Sequence, residues 1–358
     1  MRKLSPSQKK YLLKKSKDTI ALRKKRNALA NKERTKKRGY FILTGPEHLS
    51  LVKSDPRKKL ISFVKSIRRL VLNGKINIWI DFSQTNKVVA DGMIYLYAEI
   101  SQLKKRFPYI DIRSTAPIDQ VVAQVFKKIE FTSLVKCSIP RAPEEKRKDV
   151  YSWLAAYGEN VNGENCGNIL SKYKGRIANS LSIQLYKGMS EAMTNANQHA
   201  YIGNRRDGID ISMGTKPWWL FSQEVDGQLT VVLCDLGVGI PDSLPKTKPS
   251  LIEALMYLLG NKLTDSKLIQ EAVIDSVTRT HKSYRGKGLR QIVETVDSCS
   301  EGEMFILSNC GGYRYKSGGE TETIDYSSSM SGTIVGWRLS LPENMGSGSK
   351  EKELECAY

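Results

Sequence analysis

Hydrophobic and polar residues follow two alternating patterns in the first half of the chain. Apolar residues spaced three to four apart predict amphipathic helices, and short continuous apolar runs predict buried strands. Segments of the two kinds alternate at 60–72, 76–80, 92–105, 109–112 and 118–129. Because strands that alternate with helices build a sheet covered by helices, residues 41–139 are predicted to form a small α/β domain.

The same patterns return after an irregular stretch. Residues 140–167 mix Pro, Gly, Asn and charged residues, which predicts a linker. Beyond it the spacing predicts one long helix over 169–199. Further helices and strands are predicted at 218–221, 229–234, 250–280, from 289, at 304–307 and at 333–339. We therefore predict a second domain at 168–343 and a flexible tail at 344–358.

Positive charge is concentrated at the N-terminal end. The formal net charge is +20, and residues 1–40 hold 16 Lys and Arg against two acidic residues. Such a segment is predicted to be a disordered basic arm that binds polyanions, because each cation that meets a phosphate releases a counterion. Nucleic acid, an anionic membrane surface and an acidic protein all stay open as its partner. The aromatic run Trp218–Phe221 is predicted to be core rather than a surface for base stacking.

Cysteine spacing and hydropathy exclude several classes of protein. The six Cys show no CxxC pair and no His at metal-ligand spacing, so neither a zinc site nor a disulfide framework is predicted. The chain has no apolar run of about 18 residues, and charges occupy the positions where a signal peptide needs apolar ones. We therefore predict a cytoplasmic protein with no membrane span.

Three polar residues share one face of the predicted helix at 169–199. Glu191, Asn195 and His199 are four residues apart, and four residues advance an α-helix by about 400°, so the side chains point in nearly one direction. An amide oxygen can ligate Mg²⁺, and a carboxylate one turn away can activate a water. A solvated polar helix face is the alternative interpretation.

An acid followed by two glycines ends an apolar strand. Asp235 is placed there to accept the amino hydrogen of adenine. Gly237 and Gly239 let backbone approach a ligand, because no Cβ intervenes. A plain strand followed by a glycine turn is the alternative.

A second pair of glycines precedes a predicted helix. Gly286 and Gly288 flank Lys287, and the helix follows from Leu289. Free N–H groups at a helix N-terminus attract phosphates, and Lys287 adds a charge. A solvated basic loop is the alternative here.

The order of these motifs, closed by Gly332-Thr333 on a terminal strand, resembles the N box, G1 box, G2 box and G-T element of the GHKL ATPases. This family includes gyrases, chaperones, histidine kinases and mismatch-repair proteins, and the resemblance covers roughly residues 169–342. It implies a Bergerat-type two-layer α/β sandwich, with helices on one face of a mixed sheet, that binds ATP and Mg²⁺.

The resemblance also implies roles for single residues. Glu191 would be the general base and Asn195 the Mg²⁺ ligand, with His199 in support. Asp235, with the two glycines beneath, would bind adenine, and Thr333 would back the adenine side.

The phosphate end and the lid follow from the same resemblance. Residues 242–284 would be a mobile ATP lid that excludes water when it closes. No phosphoacceptor-histidine motif is present, which disfavours phosphate transfer to an internal histidine. The phosphate end would be closed by Gly286, Lys287, Gly288 and Leu289.

The first domain resembles a STAS domain (sulfate transporter and anti-sigma antagonist). The resemblance is carried by the strand Ile76–Ile80 with Asp81, and by Val89–Gly92 opening a helix. In such antagonists a serine usually precedes that glycine and is phosphorylated by a GHKL-type kinase. Here the residue is Asp91, which cannot accept phosphate as serine does, and we predict it to be a plain N-cap.

Three functions stay open on the sequence. The leading hypothesis is a Mg-ATP-dependent switch that hydrolyses ATP slowly and acts on a protein partner. An anti-sigma-type protein serine/threonine kinase is the second, because Glu191 could activate a protein hydroxyl in place of water. The third is a nucleic-acid-binding module, acting through residues 1–40, whose nucleotide pocket is regulatory. Whether the chain forms a homodimer is left open.

Overall fold

The computed structural model describes most of the chain between Lys36 and Leu341. Residues 1–35 of the predicted arm and the predicted tail lie outside the described residues. Lys36–Lys37 pairs with Tyr40–Phe41 in a sheet, so the predicted arm does not extend to residue 40. The described residues are 36–37, 39–74, 77–139, 153–161, 163–174, 176–209, 211, 214–260, 263–278, 288–297 and 301–341.

Thirteen strands and ten α-helices are described in this part of the chain. The strands are β1 (Lys36–Lys37), β2 (Tyr40–Thr44), β3 (His48–Leu49), β4 (Asn77–Asp81), β5 (Lys87–Val88), β6 (Ile112–Thr115), β7 (Leu154–Gly158), β8 (Trp218–Val225), β9 (Gln228–Asp235), β10 (Gly302–Ser308), β11 (Gly311–Lys316), β12 (Thr321–Asp325) and β13 (Thr333–Ser340). The helices are α1 (Ser54–Leu72), α2 (Ala90–Arg106), α3 (Gln120–Lys128), α4 (Phe131–Leu134), α5 (Gly163–Ser171), α6 (Asn179–Asn195), α7 (Ile240–Thr247), α8 (Pro249–Leu259), α9 (Asp265–Thr278) and α10 (Gly288–Asp297). None of these helices is both long and apolar enough to cross a membrane.

The first domain is a four-stranded sheet with helices packed against it. Its strand order is β1-β2-β4-β6, in which β1 is antiparallel to β2 and the other pairs are parallel. Helix α1 is amphipathic, because Leu60, Val64 and Ile67 are buried at helical spacing. The alternation of strand and helix predicted for this region is confirmed.

The second domain is a seven-stranded sheet of order β12-β11-β10-β13-β9-β8-β7. Every pairing described in it is antiparallel, which differs from the mixed sheet predicted for this half. Short connections account for the hairpins β8–β9, β10–β11 and β11–β12, because a parallel pair needs a crossover of about a dozen residues or more. The β8–β9 connection is a two-residue turn, with Asp226 at φ 51° and Gly227 at φ 72°, as in a type I′ hairpin.

Both faces of this sheet are buried. Trp218 and Leu233 pack in the core under the helices of the second domain, whereas their neighbours Trp219 and Cys234 pack in the core of the first domain. Trp218 is 0% and Trp219 3% exposed, which confirms that this aromatic run is core. The central strands β8, β9, β10 and β13 are therefore buried along most of their length, because side chains on both faces meet a packed layer, whereas β12 is largely exposed.

The first domain covers the sheet face that the helices of the second domain leave open. Helix α2 packs against β8 and β9, and Tyr97 meets Phe221 edge to face with ring centroids 5.5 Å apart. Helices α6, α9 and α10 pack on the other face. The predicted helices on one face are present, and the first domain adds a third layer to the two-layer sandwich.

Two predicted segments are organised differently in the structure. Part of the predicted linker, Leu154–Gly158, is the edge strand β7, paired with β8. The long helix predicted over 169–199 is broken into α5 and α6. Arg176 in the intervening turn donates two hydrogen bonds of 2.6 Å to Glu224 of β8, which fixes the break.

Asp91 is not the N-cap that we predicted. Val89 is the N-cap of α2, and Asp91 lies inside the first turn of the helix. Its carboxylate accepts a hydrogen bond from the backbone N–H of Leu51. The side chain ties the β3–α1 loop to the helix, and the residue is only 2% exposed.

Candidate functional site

The first predicted group of polar residues lies at the C-terminal end of α6. The α-helix ends at Asn195 and continues as one π-helical turn, Ala196–Ala200. Glu191 and Asn195 lie on one α-helical face as predicted. His199 lies in the wider π-helical turn, just beyond the α-helix that was predicted to carry all three side chains. Turns of this kind are frequent at functional sites.

Two polar side chains on this face have no partner among the residues that the structure describes. Glu191 and Asn195 are half-buried, and in the described part of the chain neither side chain has a hydrogen-bond or ion-pair partner. Burial raises the pKa of Glu191. Desolvation, with the nearby cations Lys248 and Lys216, lowers the pKa of His199, so its neutral form is favoured. A carboxylate and an amide are thus held ready for a ligand.

Asp235 ends β9 on the helix-facing side of the sheet, and it is 5% exposed. Burial raises its pKa to about 7, while hydrogen bonds from the backbone N–H groups of Gly237 and Thr333 favour the charged form. The Gly237 N–H lies 2.9 Å from Oδ1. Such a carboxyl changes its charge near neutral pH and responds to any donor placed beside it.

The turn after Asp235 packs directly on the end of α6. The Val238 N–H donates to the carbonyl of Ala200 at 2.8 Å. A Cβ at Gly237 would overlap Ala200, and a Cβ at Gly239 would lie 2.6 Å from Nδ2 of Asn309. Gly239 also has φ +87°, which favours glycine. The structure therefore brings the first two predicted motifs together. Glycine is favoured at 237 by the close approach of Ala200, and at 239 by the positive φ and the Asn309 side chain.

Thr333 lies beside Asp235 as its cross-strand partner. Its hydroxyl is 3.0 Å from Oγ of Ser308, and that oxygen accepts the N–H of Ile240 at 2.9 Å. The sequence did not draw attention to Ser308, which links β10, β13 and the start of α7. Tyr201 was also missed: its hydroxyl accepts the Leu236 N–H at 3.2 Å and donates to a carbonyl.

The third motif is described only in part. Gly286 and Lys287 lie outside the described residues, while Gly288 begins α10 and Leu289 follows within it. A helix start was predicted here and is confirmed. Helix α10 packs on α6, where the Thr295 hydroxyl donates to the carbonyl of Gln184 at 3.2 Å. The helix that follows the third motif thus packs against the helix that carries the first.

The predicted lid is largely helical in the structure. Helix α9 is part of the core, because Ile269 is 0% and Val273 3% exposed. A mobile lid over all of 242–284 is therefore not what the described residues show. Helix α8, in the same predicted lid, is not buried in this way, because its Met256, Tyr257 and Leu258 side chains are exposed.

A buried ionic network joins the two domains, and it was not predicted from the sequence. Nε of Arg68 is 2.7 Å from Oε2 of Glu99, and Nη1 is 2.8 Å from Oδ2 of Asp207. Arg205 lies 2.6 Å from Asp207 and 3.4 Å from Glu99. It also donates to the carbonyl of Leu236, next to Asp235, at 3.4 Å. The network reaches from α1 and α2 to the glycine turn.

A second arginine of α1 reaches the same turn. Arg57 is 1% exposed, donates to the carbonyl of Asn309 at 2.8 Å and stacks 4.0 Å from the Tyr326 ring centroid. The Asn309 side chain in turn donates to the carbonyl of Val238 at 2.8 Å. Arg57 and Arg68 occupy the apolar stripe of α1. Their positions in that stripe could have shown that both arginines are buried, but not which residues they contact.

The site offers a buried acid, a half-buried acid and a free amide around glycine-lined backbone. No group of three His, Cys, Asp or Glu side chains comes together as a metal site among the residues described. A divalent cation here would therefore draw most of its ligands from a bound anion and water, with Asn195 as the amide ligand. A scan against protein-family models and a search of curated proteins found no match for the chain.

Proposed function

We propose that the chain is an ATP-binding protein of GHKL type, with its nucleotide pocket between α6 and the helix-facing ends of β9 and β13. The observation that carries the proposal is the Val238–Ala200 hydrogen bond of 2.8 Å. It joins the Asp235 turn to the end of the helix that presents Glu191 and Asn195. An adenine acceptor and the polar groups expected at the phosphates then lie around one pocket.

Asp235 accepts the amino hydrogens of adenine in this proposal. A buried acid without a charged partner favours its neutral form, and a donor placed against it favours the ionised form. The pocket would therefore prefer adenine to a base without that amino group, because such a base would leave the buried Asp235 acceptor unpaired. Thr333 and Ser308 complete the polar end of the pocket.

Glu191 and Asn195 serve the phosphate end. The raised pKa of Glu191 suits a general base, since a carboxylate of higher pKa takes a proton more readily. When bound, Mg²⁺ neutralises phosphate charge, and Asn195 supplies its amide oxygen. Among the described residues Glu191 is a base on this face that no other residue holds, and we propose that turnover, with water as acceptor, is slow and depends on it.

Nucleotide binding and turnover by the purified full chain test the proposal. Asp235→Asn should lose ATP binding, and Glu191→Gln should bind ATP without turnover. Asp226→Asn and Glu320→Gln are matched controls, because both acids are exposed and lie in hairpin turns of the same sheet. Binding by Asp235→Asn equal to that of Asp226→Asn would refute the assigned pocket. Turnover by Glu191→Gln at the rate of Glu320→Gln would remove Glu191 as the base.

A protein kinase is the second candidate function. The same Glu191 would activate a protein hydroxyl, and a STAS-like first domain beside a GHKL-type pocket fits a regulator of this class. The burial of Asp91 at 2% exposure directs such a reaction to a separate protein. Transfer of labelled phosphate from ATP to a protein in a bacterial extract, lost in Glu191→Gln, would favour the kinase over the ATPase.

The basic segment motivates the third candidate, regulated nucleic-acid binding. Because Lys36–Lys37 is already part of a sheet, the informative truncation removes residues 1–35 and no more. Retention of single-stranded DNA that is lost in this truncation, with ATP binding intact, would favour that view. Equal retention by both proteins would exclude the segment as the binding element.

A further inference from the structure

A second cleft, of about 360 Å³, lies between the end of α1 and two loops of the second domain. It is distinct from the proposed nucleotide pocket, because none of its lining residues is among those proposed to bind the nucleotide. One wall is the α1 segment from Lys65 to Asn73, and the others are residues 206–209 and 329–331. Its charged lining residues are Lys65, Arg68, Arg69, Arg206 and Asp207.

Two of these cations have no counter-charge among the described residues. Lys65 and Arg69 are one helical turn apart on α1, both are exposed, and no carboxylate pairs with either in the described part of the chain. Like charges at this spacing repel each other and destabilise a helix. Other charged residues around the cleft are paired, so the unpaired cations define a local site for an anion.

The two remaining cations are fixed in place beside them. Arg68 is 3% exposed and is held by Glu99, Tyr95 and Asp207. Arg206 is held by Asp242 and Asp265 at 2.6–3.1 Å.

The donor count leaves each of these arginines one free N–H. Four of the five guanidinium N–H groups of Arg68 and of Arg206 are used by these contacts, and the remaining one is on Nη1. A guanidinium that is already immobilised loses little entropy when it binds an anion. The cleft therefore combines two exposed cations, Lys65 and Arg69, with one remaining N–H donor on each of two immobilised arginines, Arg68 and Arg206.

We propose that this cleft binds a small phosphate ester. Guanidinium and ammonium donors suit phosphate oxygens, and Ser329 and Ser331 add polar atoms to the opposite wall. The volume of about 360 Å³ is at the lower end of the range for small-molecule pockets. It accommodates a compact metabolite and leaves no groove for a nucleic-acid strand.

Calorimetric titration of the full chain with glycerol 3-phosphate and with inorganic phosphate, at low ionic strength, tests the site. We expect saturable binding that Lys65→Gln/Arg69→Gln weakens by about tenfold or more, since two charge-assisted contacts are lost. The matched control is Lys53→Gln/Lys58→Gln, which removes equal charge from exposed positions of α1 or its N-cap outside the cleft. It should change the affinity by less than about twofold.

Further controls distinguish binding in this cleft from binding in the nucleotide pocket and from non-specific binding of anions. Binding of both probes should persist in Asp235→Asn, so failure of the proposed ATP site leaves this inference intact. An equal loss in both double variants would show diffuse attraction and overturn the proposal, as would the absence of saturable binding by either probe. Displacement of glycerol 3-phosphate by single-stranded DNA through Lys65 and Arg69 would overturn the small-ligand assignment.

Discussion

The two faces of the seven-stranded sheet handle polar groups in opposite ways. On the face toward the first domain, Arg68, Glu99 and Arg205 are buried and bound to one another. On the face toward α6, Glu191 and Asn195 have no partner in the described part of the chain. Buried charges that serve the fold are satisfied within it, because an unpaired one is costly. Half-buried polar groups without a partner, such as those of Glu191 and Asn195, are the ones that a ligand can bind.

Removing one charge from the satisfied face should give the largest effect on stability. Glu99→Gln leaves Arg68 and Arg205 buried with less negative charge, and breaking such a network costs about 3–5 kcal/mol. Urea unfolding should show this loss in the free energy of unfolding. Asp55→Asn, which breaks the exposed Lys59–Asp55 pair on α1, should show no measurable change. Equal stability of the two variants would mean that the interdomain network is not structural.

On the face toward α6, removing a charge should raise the free energy of unfolding instead of lowering it. Asp235 has a pKa of about 7 in the folded protein against an ordinary value of 3.8, so the wild-type fold is progressively destabilised as pH rises from about 4 to 7. Asp235→Asn removes the cost of ionising this buried carboxyl. The variant should gain about 1–3 kcal/mol of stability at pH 8, although it should no longer bind ATP. The gain should vanish near pH 4. Unfolding curves at pH 4 and 8 measure it, and a loss of stability at pH 8 would show that the carboxylate is stabilised by contacts that the asparagine lacks.

The same contrast explains what the sequence could predict. The motifs at Glu191, Asp235 and Gly288 depend on residues close in sequence, so their local elements and the start of α10 were predictable. The contact of Arg68 with Glu99 joins residues 31 positions apart. Pairing at such a distance depends on how the helices pack, and no local pattern records it.

Three local predictions failed because tertiary contacts outweighed local preference. Asp at the start of a helix usually caps it, but Asp91 turns to the β3–α1 loop instead. The segment with linker-like composition supplies β7 because the edge of β8 was open for pairing. The single helix predicted over 169–199 is broken because Arg176 in the intervening turn pairs with Glu224 of β8.

Two glycine substitutions should separate close packing from backbone strain. Gly239 and Gly318 both have positive φ, +87° and +96°, but a Cβ meets Asn309 at the first and nothing within 4 Å at the second. Gly318→Ala should cost about 1–2 kcal/mol, the left-handed penalty alone. Gly239→Ala should cost about 1 kcal/mol more and weaken ATP binding, because Asn309 must move. Denaturant unfolding and ATP titration compare the two variants. An equal loss in the free energy of unfolding would mean that the Asn309 side chain moves aside without cost.

The pH dependence of nucleotide binding should give the smallest effect and the most direct sign of Asp235 in the site. Adenine binding favours the ionised carboxyl, so it releases a proton from the fraction of Asp235 that is protonated. Affinity for ATP should thus be constant above pH 8 and fall by about two- to fivefold between pH 8 and pH 6.5, given a free pKa of about 7. Calorimetry in two buffers of different ionisation enthalpy measures the proton. Adenosine, which has no phosphates, provides the matched ligand, and it should release the same fraction. Proton release with ATP and none with adenosine would place the titrating group at the phosphate end, with Glu191, and not at Asp235.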